Sequence, residues 1–451
     1  MIEGLLRPTE SHRRWEKAGR TTESAEPLCE VFTLRTTFTS FDIMRLTTVF
    51  IILLIFGLID VYVYKGFSGI AQLYAPSHKV LITILYWLFS LSCLGLLIYG
   101  VANRGNFKSM NTLTLIIGVF ITFLLPKIVF VIFHAVDDIY NLAGFAVNYV
   151  VRETDYTRRN FISQIGLMAS GLMFGSMIYG VLWGKFNFRV LREKIASARI
   201  PLSFDGVKIV QISDAHLGSF GDSYQPIEKA VEMINDLEPN YVFFTGDMVN
   251  NHADEAHSWV DIFKKIQAKE GKYSIFGNHD YADYGNFTLQ ERKDSVDHLK
   301  EIHRSMGFLL LEDENIELRR GNETITLIGV HNWGKGFHQV GDLKKALIGI
   351  DHDSFQILLS HDPTHFEEQV KNKTSIDLTL SGHTHGMQMG IEIPSLNIKW
   401  SPVKFRYPRW AGMYQESGQK LYINRGFGVL AYPGRVGMSP EITLFTLKSE
   451  A

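Results

Sequence analysis

Cysteine is almost missing from this chain: Cys29 and Cys93 are the only two in 451 residues, and the second lies inside an apolar run. That count excludes a disulfide framework and a cysteine-based metal site. An excess of charge of one sign is missing as well, since 45 Lys and Arg stand against 47 Asp and Glu, for a formal net charge of -2. Nothing in that balance favours nucleic acid as a partner. The first 184 residues are poor in acids and histidine, and the remainder is poor in long apolar runs. A chain of this length with so sharp a change of texture is expected to hold at least two structural units.

What the first part does contain is four apolar stretches, roughly Leu46 to Tyr64, Val80 to Val101, Leu113 to Val136 and Phe161 to Trp183. Each reaches the roughly 20 residues that a membrane helix needs. They lack the amphipathic periodicity of a soluble core, so a multi-pass bundle over residues 44–184 of a cell (inner) membrane protein is expected. The third contains Pro126-Lys127 and is the least secure as one straight span. The fourth carries Gly171 and Gly175, a small-xxx-small pair suited to close helix approach. Residues 1–43 are polar and unpatterned, and Met44-Arg45 before the first run is an alternative start. The membrane side stays open. Arg104, Lys108, Lys185, Arg189, Arg192, Lys194 and Arg199 favour a cytoplasmic catalytic half. Thr157-Arg158-Arg159-Asn160-Phe161 resembles a twin-arginine export signal and points the other way.

Residues 185–204 read as a basic connector, and residues 205–451 as an α/β domain. Short apolar strands are expected at Val207–Ile212, Tyr241–Phe244, Tyr273–Phe276, Phe355–Leu359 and Ile376–Leu380. Helical spacing recurs in Ile227, Ala230, Val231, Ile234 and Leu237, and again around Val296, Leu299, Ile302 and Met306. Each strand ends in side chains that bind metals: Asp214-Ala215-His216, Gly246-Asp247, Gly277-Asn278-His279-Asp280, Ser360-His361-Asp362 and Gly382-His383-Thr384-His385. Strand ends of α/β sheets are where ligands bind, because loops converge there on a rigid edge. A lone Asp-x-His or His-x-His is most often a solvated turn. Five in a row, each after a strand, point to one shared centre.

These motifs resemble the calcineurin-like metallophosphoesterases over roughly residues 205–449. The tail, with Asn424-Arg425-Gly426-Phe427-Gly428 and Pro433-Gly434-Arg435-Val436-Gly437, is similar to the membrane-associated bacterial branch related to phosphodiesterases that hydrolyse UDP-diacylglucosamine. The resemblance implies a four-layer α/β/β/α sandwich and two divalent metal ions. By it, Asp214, His216, Asp247 and His385 hold one ion and Asp247, Asn278, His361 and His383 the other, with Asp247 bridging. His279 takes the place of proton donor or charge stabiliser beside the phosphate. Departures are Asn250, Ala215 and His331-Asn332-Trp333; the last puts the substrate pocket in doubt.

Paired metals suit phosphate chemistry because they neutralise oxygens that repel a nucleophile. Mixed imidazole and carboxylate ligands accept Mn²⁺, Fe and Zn²⁺ alike, so cellular availability decides among them; Mn²⁺ is the expected cofactor, with Fe or Zn²⁺ the alternatives. Arg425 and Arg435 are candidates to grip a second phosphate or a headgroup, or else are structural. Trp400, Phe405, Tyr407 and Trp410 either meet the bilayer or an acyl chain, or pack in the core. The expected function is hydrolysis of a phosphate ester or pyrophosphate on a lipid-linked or membrane-proximal substrate, with the bilayer as partner. A phosphatase of soluble phosphomonoesters, phosphoproteins or nucleotides is the alternative enzyme, and a silent membrane scaffold the alternative of another class.

Overall fold

The computed structural model describes residues 40–103, 110–148, 156–396 and 398–450. The chain divides into two units, Met1–Leu53 and Leu54–Ala451. The described part of the first is the opening of helix α1, which spans Ser40–Tyr74. The expectation for segment 1–43 thus lies outside the described residues, apart from residues 40–43, which are helical.

Three further long helices follow: α2 (Lys79–Ala102), α3 (Met110–Asn148) and α4 (Tyr156–Leu182). Four segments are long and apolar enough to cross a membrane: Leu53–Gln72, Pro76–Ala102, Thr114–Gly144 and Arg158–Leu182. The first overlaps the expected Leu46 to Tyr64, with Asp60 well inside it. That acid is accommodated by a partner: Lys127 of α3 approaches Asp60 at 2.5 Å and also donates to Ser90, while the Tyr86 hydroxyl donates to Asp60 at 3.0 Å. Arg158 and Arg159 pair likewise with Asp137 and Asp138, at 2.8 and 3.1 Å. Ionisable groups within spans are tolerated when they meet one another inside the bundle.

Two expectations change here. Proline removes an N–H from the helix ladder, yet α3 runs unbroken through Pro126, whose carbonyl accepts from Ser170 of α4 at 2.9 Å. Gly171 and Gly175 face open space rather than another helix. Close approach occurs instead at Gly166, where a β-carbon would stand 2.9 Å from Phe133, and at Gly180, where it would stand 2.7 Å from the Arg435 carbonyl. Small-residue spacing alone does not tell which helix face has a neighbour.

Beyond α4 the chain alternates strand and helix: β1 (Arg189–Ser197), β2 (Lys208–Ile212), α5 (Tyr224–Asn235), β3 (Tyr241–Thr245), α6 (Asp254–His257), α7 (Val260–Phe263), β4 (Gly271–Ile275) and α8 (Leu289–Ser305). Then come β5 (Leu309–Leu310), β6 (Glu314–Arg320), β7 (Glu323–Gly329), α9 (Leu343–Ala346), β8 (Gln356–Leu359) and β9 (Leu378–Ser381). A small hairpin, β10 (Ile391–Ile393) and β11 (Ile398–Trp400), precedes β12 (Gly412–Glu416), β13 (Gln419–Ile423) and β14 (Glu441–Ser449).

These strands form two mixed six-stranded sheets, ordered β1-β14-β2-β3-β4-β5 and β12-β13-β9-β8-β7-β6. Side chains of a strand alternate between faces, and the apolar ones here are buried on both. Ile209, Phe243 and Ile275 of the first sheet meet Leu327, Ile357 and Leu380 of the second between the sheets. Val210, Val242 and Phe244 pack outward with Ile227, Ile234 and Leu299 of the flanking helices, and Leu358 and Ile423 pack with Leu343 and Phe366 on the far side. The result is the four-layer sandwich. Helix α8 starts at a capping box in which Thr288 and Glu291 satisfy each other's backbone N–H. The segment expected as a basic connector contains β1, which pairs in parallel with β14 from Arg189↔Glu441 to Ser197↔Ser449. Its exposed cationic face concealed it as a strand.

Candidate metal centre

The loops after β2, β3, β4, β8 and β9 meet at one sheet edge. Asp214, His216 and His385 bring one ligand atom each within 4.8 Å of one another, and Asp247, His361 and His383 do the same. Five of these six are buried to the last few per cent, so the carboxylates have almost no water to solvate them. Asp247 Oδ2 faces both groups, at 3.6 Å from His216 Nε2 and 3.1 Å from His361 Nε2. That oxygen therefore stands between the two groups. Asn278 Oδ1 lies 2.9 Å from His383 Nδ1, while its amide nitrogen donates to the Tyr284 hydroxyl at 2.7 Å.

The donor set itself tests whether cations fit. His216 Nδ1 faces the Val249 carbonyl at 3.1 Å and His361 Nδ1 faces the Thr245 carbonyl at 2.8 Å. A carbonyl only accepts, so each Nδ1 carries a proton and each ring turns Nε2 inward, the nitrogen whose lone pair takes a cation when the ring is neutral. There His216 Nε2 meets His385 Nε2 at 3.1 Å. His385 Nδ1 and Asp362 Oδ2 are buried without a hydrogen-bond partner, Asp362 Oδ2 lying 3.4 Å from His383 Nε2. Converging lone pairs beside ionised carboxylates are stable only around positive charge. Two Asp/His groups so arranged fit a dinuclear metal site.

Electrostatics agree. Burial opposes protonation of His361, but the Asp247 and Asp214 carboxylates outweigh it and raise it to about 10, so this pocket calls for positive charge beside Asp247, whether a proton or a cation. Burial would raise Asp247; the imidazoles of His361 and His279 win and hold it well below the usual carboxylate range. Burial, with His385 beside it, depresses His216 well below an ordinary histidine.

Backbone geometry is unusual at the same positions. Asp214, His216, Asp247, His383 and His385 all have positive φ, between 43° and 71°. Left-handed backbone costs a non-glycine residue about 1–2 kcal/mol, so the surrounding loops must enforce it. Asp280 is one enforcer: its carboxylate accepts from the backbone N–H of Asp247, Met248, Val249 and Gly277. Gly246 is another, with φ of 94° and room for a β-carbon only 2.6 Å from the Gly277 nitrogen.

His279 lies at the rim. Its N–H donates to Asp247 Oδ1 at 2.8 Å, its Nδ1 donates to the Asn250 carbonyl at 2.6 Å, and its ring stacks on Tyr284 at 4.3 Å. Nε2 is left as the atom that can exchange a proton. Arg425 and Arg435 are placed differently from the phosphate-gripping alternative. Arg425 is buried between Glu441 and Glu392, at 2.6 Å from each. Arg435 is buried and donates to the carbonyls of Gly428, Arg425 and Gly426. Both shape the loop that carries them. Two residues were missed in the sequence: Asp280, quoted within its motif but given no role, and Tyr407, whose hydroxyl lies 2.8 Å from His383 Nε2. The aromatic stretch divides, with Tyr407 and Trp410 buried and Trp400 and Phe405 exposed.

A four-layer sandwich with two Asp/His groups at its sheet edge defines a metal-dependent phosphoesterase. Comparison with known proteins agrees. Residues 207–387 match the family described as "Calcineurin-like phosphoesterase", and residues 44–185 match "Probable Calcineurin-like phosphoesterase, transmembrane domain". The uncharacterized metallophosphoesterase YkuE of Bacillus subtilis is 30% identical over 308 residues, 65% of this chain and 98% of its own. A transmembrane protein with metallophosphoesterase domain from Danio rerio is 28% identical over 60% of each chain. An uncharacterized metallophosphoesterase of Campylobacter jejuni is 25% identical over 89% of this chain and 98% of its own. The chain belongs to the calcineurin-like metallophosphoesterases, and it is a multi-pass member with four candidate spans.

Proposed function

We propose that this enzyme hydrolyses phosphate ester or pyrophosphate bonds of a lipid-linked or membrane-proximal substrate, a class that includes UDP-diacylglucosamine-type molecules. The observation that carries the reading is Asp247 Oδ2 facing both ligand groups, in a domain whose Arg435 carbonyl rests on Gly180 of α4. Asp214, His216, Asp247 and His385 are assigned to one ion, and Asp247, Asn278, His361 and His383 to the other, with Mn²⁺ favoured over Fe or Zn²⁺. When bound, such a pair supplies positive charge to phosphoryl oxygens and lowers the pKa of a water molecule.

The chain's own residues do the rest. Val249 and Thr245 carbonyls hold His216 and His361 with Nε2 inward. Asp280 fixes the loop that presents Asp247. His279, steadied through Nδ1, offers Nε2 as the atom that passes a proton to the leaving oxygen. The catalytic domain is assigned to the cytoplasmic face. Basic residues gather after α4, and Arg158 and Arg159 are engaged by Asp137 and Asp138, which weakens their reading as an export signal.

The test is turnover by purified full-length protein in detergent. An aryl phosphodiester should be cleaved with Mn²⁺, not after chelation, and an acylated substrate should be preferred over its deacylated counterpart. Equal turnover of the two would remove the lipid-linked reading; activity that survives chelation would remove the metals. A C-terminal tag accessible only after the membrane is opened is expected for the cytoplasmic assignment, and a tag accessible in intact cells would reverse it.

A further inference from the structure

The hairpin of β10 and β11 is amphipathic in a way that its place in the fold does not require. Its register pairs Ile391 with Trp400 and Ile393 with Ile398, and between them Glu392 with Lys399. Strand residues two apart share a face, so the four apolar side chains lie on one face and the two charged ones on the other. The charged face is fastened to the domain: Glu392 binds Arg425 at 2.6 Å, and Lys399 reaches the Ala411 carbonyl and lies 4.9 Å above the Trp410 ring. The apolar face is left uncovered. Ile391 is 53% exposed, Ile398 42% and Trp400 39%, with Leu396 at the turn 65% and the nearby Phe405 81% exposed.

Its root indicates what covers it. Gly390 N–H donates to the Val436 carbonyl at 2.9 Å, and Gln388 donates to the carbonyls of Tyr432 and Gly434. That same segment abuts the membrane helices where they end. Arg435 N–H donates to the Gly180 carbonyl at 3.1 Å, the Tyr432 hydroxyl donates to the Met177 carbonyl at 3.1 Å, and the α4 span stops at Leu182. A chain advances at most about 3.5 Å per residue, so Leu396 is within roughly 21 Å of Gly390, which is itself tied through Val436 and Arg435 to Gly180 near the end of α4. The charge also suits a membrane. Lys404 lies 6.0 and 5.5 Å from the Trp400 and Phe405 rings, and Arg406 is exposed beside it. Aromatic side chains flanked by cations settle at the headgroup level and favour anionic lipid.

We infer that the apolar face of this hairpin, together with Phe405, is a bilayer-docking surface of the catalytic domain, seated at the boundary between headgroups and acyl chains. The segment that carries it also borders the metal centre: Ser401 donates to the Gly386 carbonyl at 2.8 Å, Thr384 donates to the Trp410 carbonyl at 2.6 Å, and Tyr407 touches His383. Docking therefore holds the centre at the height of lipid headgroups. The surface is independent of which phosphate the centre cleaves.

The test uses full-length protein in vesicles of phosphatidylcholine and phosphatidylglycerol, in a Cys29→Ser, Cys93→Ser background. Single cysteines Leu396→Cys and Phe405→Cys carry an environment-sensitive fluorophore, and Ile348→Cys, at a 73% exposed position beyond α9, serves as the aqueous control. Brominated lipids should remove about half or more of the emission at the two hairpin positions and little at Ile348, as for a surface sunk into the headgroup boundary. Aqueous iodide should do the reverse. Iodide quenching equal to that of Ile348 overturns the inference, and so does protection from both quenchers, which signifies a second copy or another protein on the face. The two positions lie on different segments, so failure of one variant to fold leaves the other decisive. Turnover of acylated against deacylated substrate is a separate reading and reports only on the substrate.

Discussion

The membrane half and the catalytic half both bury charge, and they do so in opposite ways. In the helices every described acid inside a span has a cation or a hydroxyl: Asp60 has Lys127 and Tyr86, Asp137 has Arg158, Asp138 has Arg159 and Tyr62. At the sheet edge the groups do not complete one another. Imidazole nitrogens of His216 and His385 face each other at 3.1 Å, and His385 Nδ1 and Asp362 Oδ2 accept no hydrogen bond. Internally satisfied charge locates helices relative to one another. Unsatisfied charge at comparable burial marks a place for something that arrives from outside.

Breaking the centre should give the largest effect. Asp247→Asn removes the charge that faces both groups, and turnover of an aryl phosphodiester should fall by about a thousandfold or more, consistent with several kcal/mol of transition-state stabilisation. Metal content by elemental analysis should fall with it, while membrane insertion stays intact. Retention of both activity and metal would show that Asp247 is no more special than Asp60. Next in size is Asp60→Ala, which strands Lys127 in the bundle. A buried pair deprived of one partner costs about 3–5 kcal/mol, visible as a lower melting temperature in detergent. Turnover per folded molecule should be unchanged, and Lys127→Met added to it should restore most of the stability.

Tyr407→Phe sharpens the comparison from the other side, since it removes only the hydroxyl from His383 Nε2. Loss of such a supporting contact typically costs about 10–100-fold in metal affinity or activity, readable as a raised Mn²⁺ requirement. The last comparison concerns pH. Burial holds His303 down to about 3 and His365 down to about 4, from an ordinary 6.5. Both stay neutral in the folded protein and gain protons on unfolding, so the unfolded state binds more protons as pH falls from 6.5 towards 4. Stability drops over that window by up to about 1.4 kcal/mol per pH unit for each histidine. His303→Leu should flatten the dependence of melting temperature on pH between 6.5 and 4, and an unaltered slope would refute the assignment.

Strands β2, β3, β4, β8 and β9, and the Asp, Asn and His residues that gather after them, were legible because each signal is local. An apolar run followed within three residues by Asp, Asn or His is visible in a window of ten, and Asp214, Asp247, Asn278, His361 and His383 all arise that way. What escaped depends on partners far along the chain. Strand β1 is defined by β14, some 250 residues later, and its row of Arg189, Arg192 and Lys194 has the texture of a linker. Tyr407 has no motif of its own; only folding brings it to His383. Gly171 and Gly175 had the right spacing, but spacing does not say which side of a helix is occupied. Arg425 and Arg435 have phosphate-binding chemistry, and their burial against Glu441 and backbone carbonyls is a property of tertiary packing.

Strand β14 has a bearing on how the protein is made. It lies between β1 and β2, the first two strands to emerge after the helices. During synthesis those two strands must wait side by side, with a strand-wide gap between them, until the ribosome has passed Ser449. Glu441, which clamps Arg425, arrives in that same last stretch. The helices can enter the bilayer long before, so a nascent chain is tethered to the membrane while its first sheet is still open. Products truncated before Glu441 should therefore accumulate as anchored, inactive and protease-sensitive species.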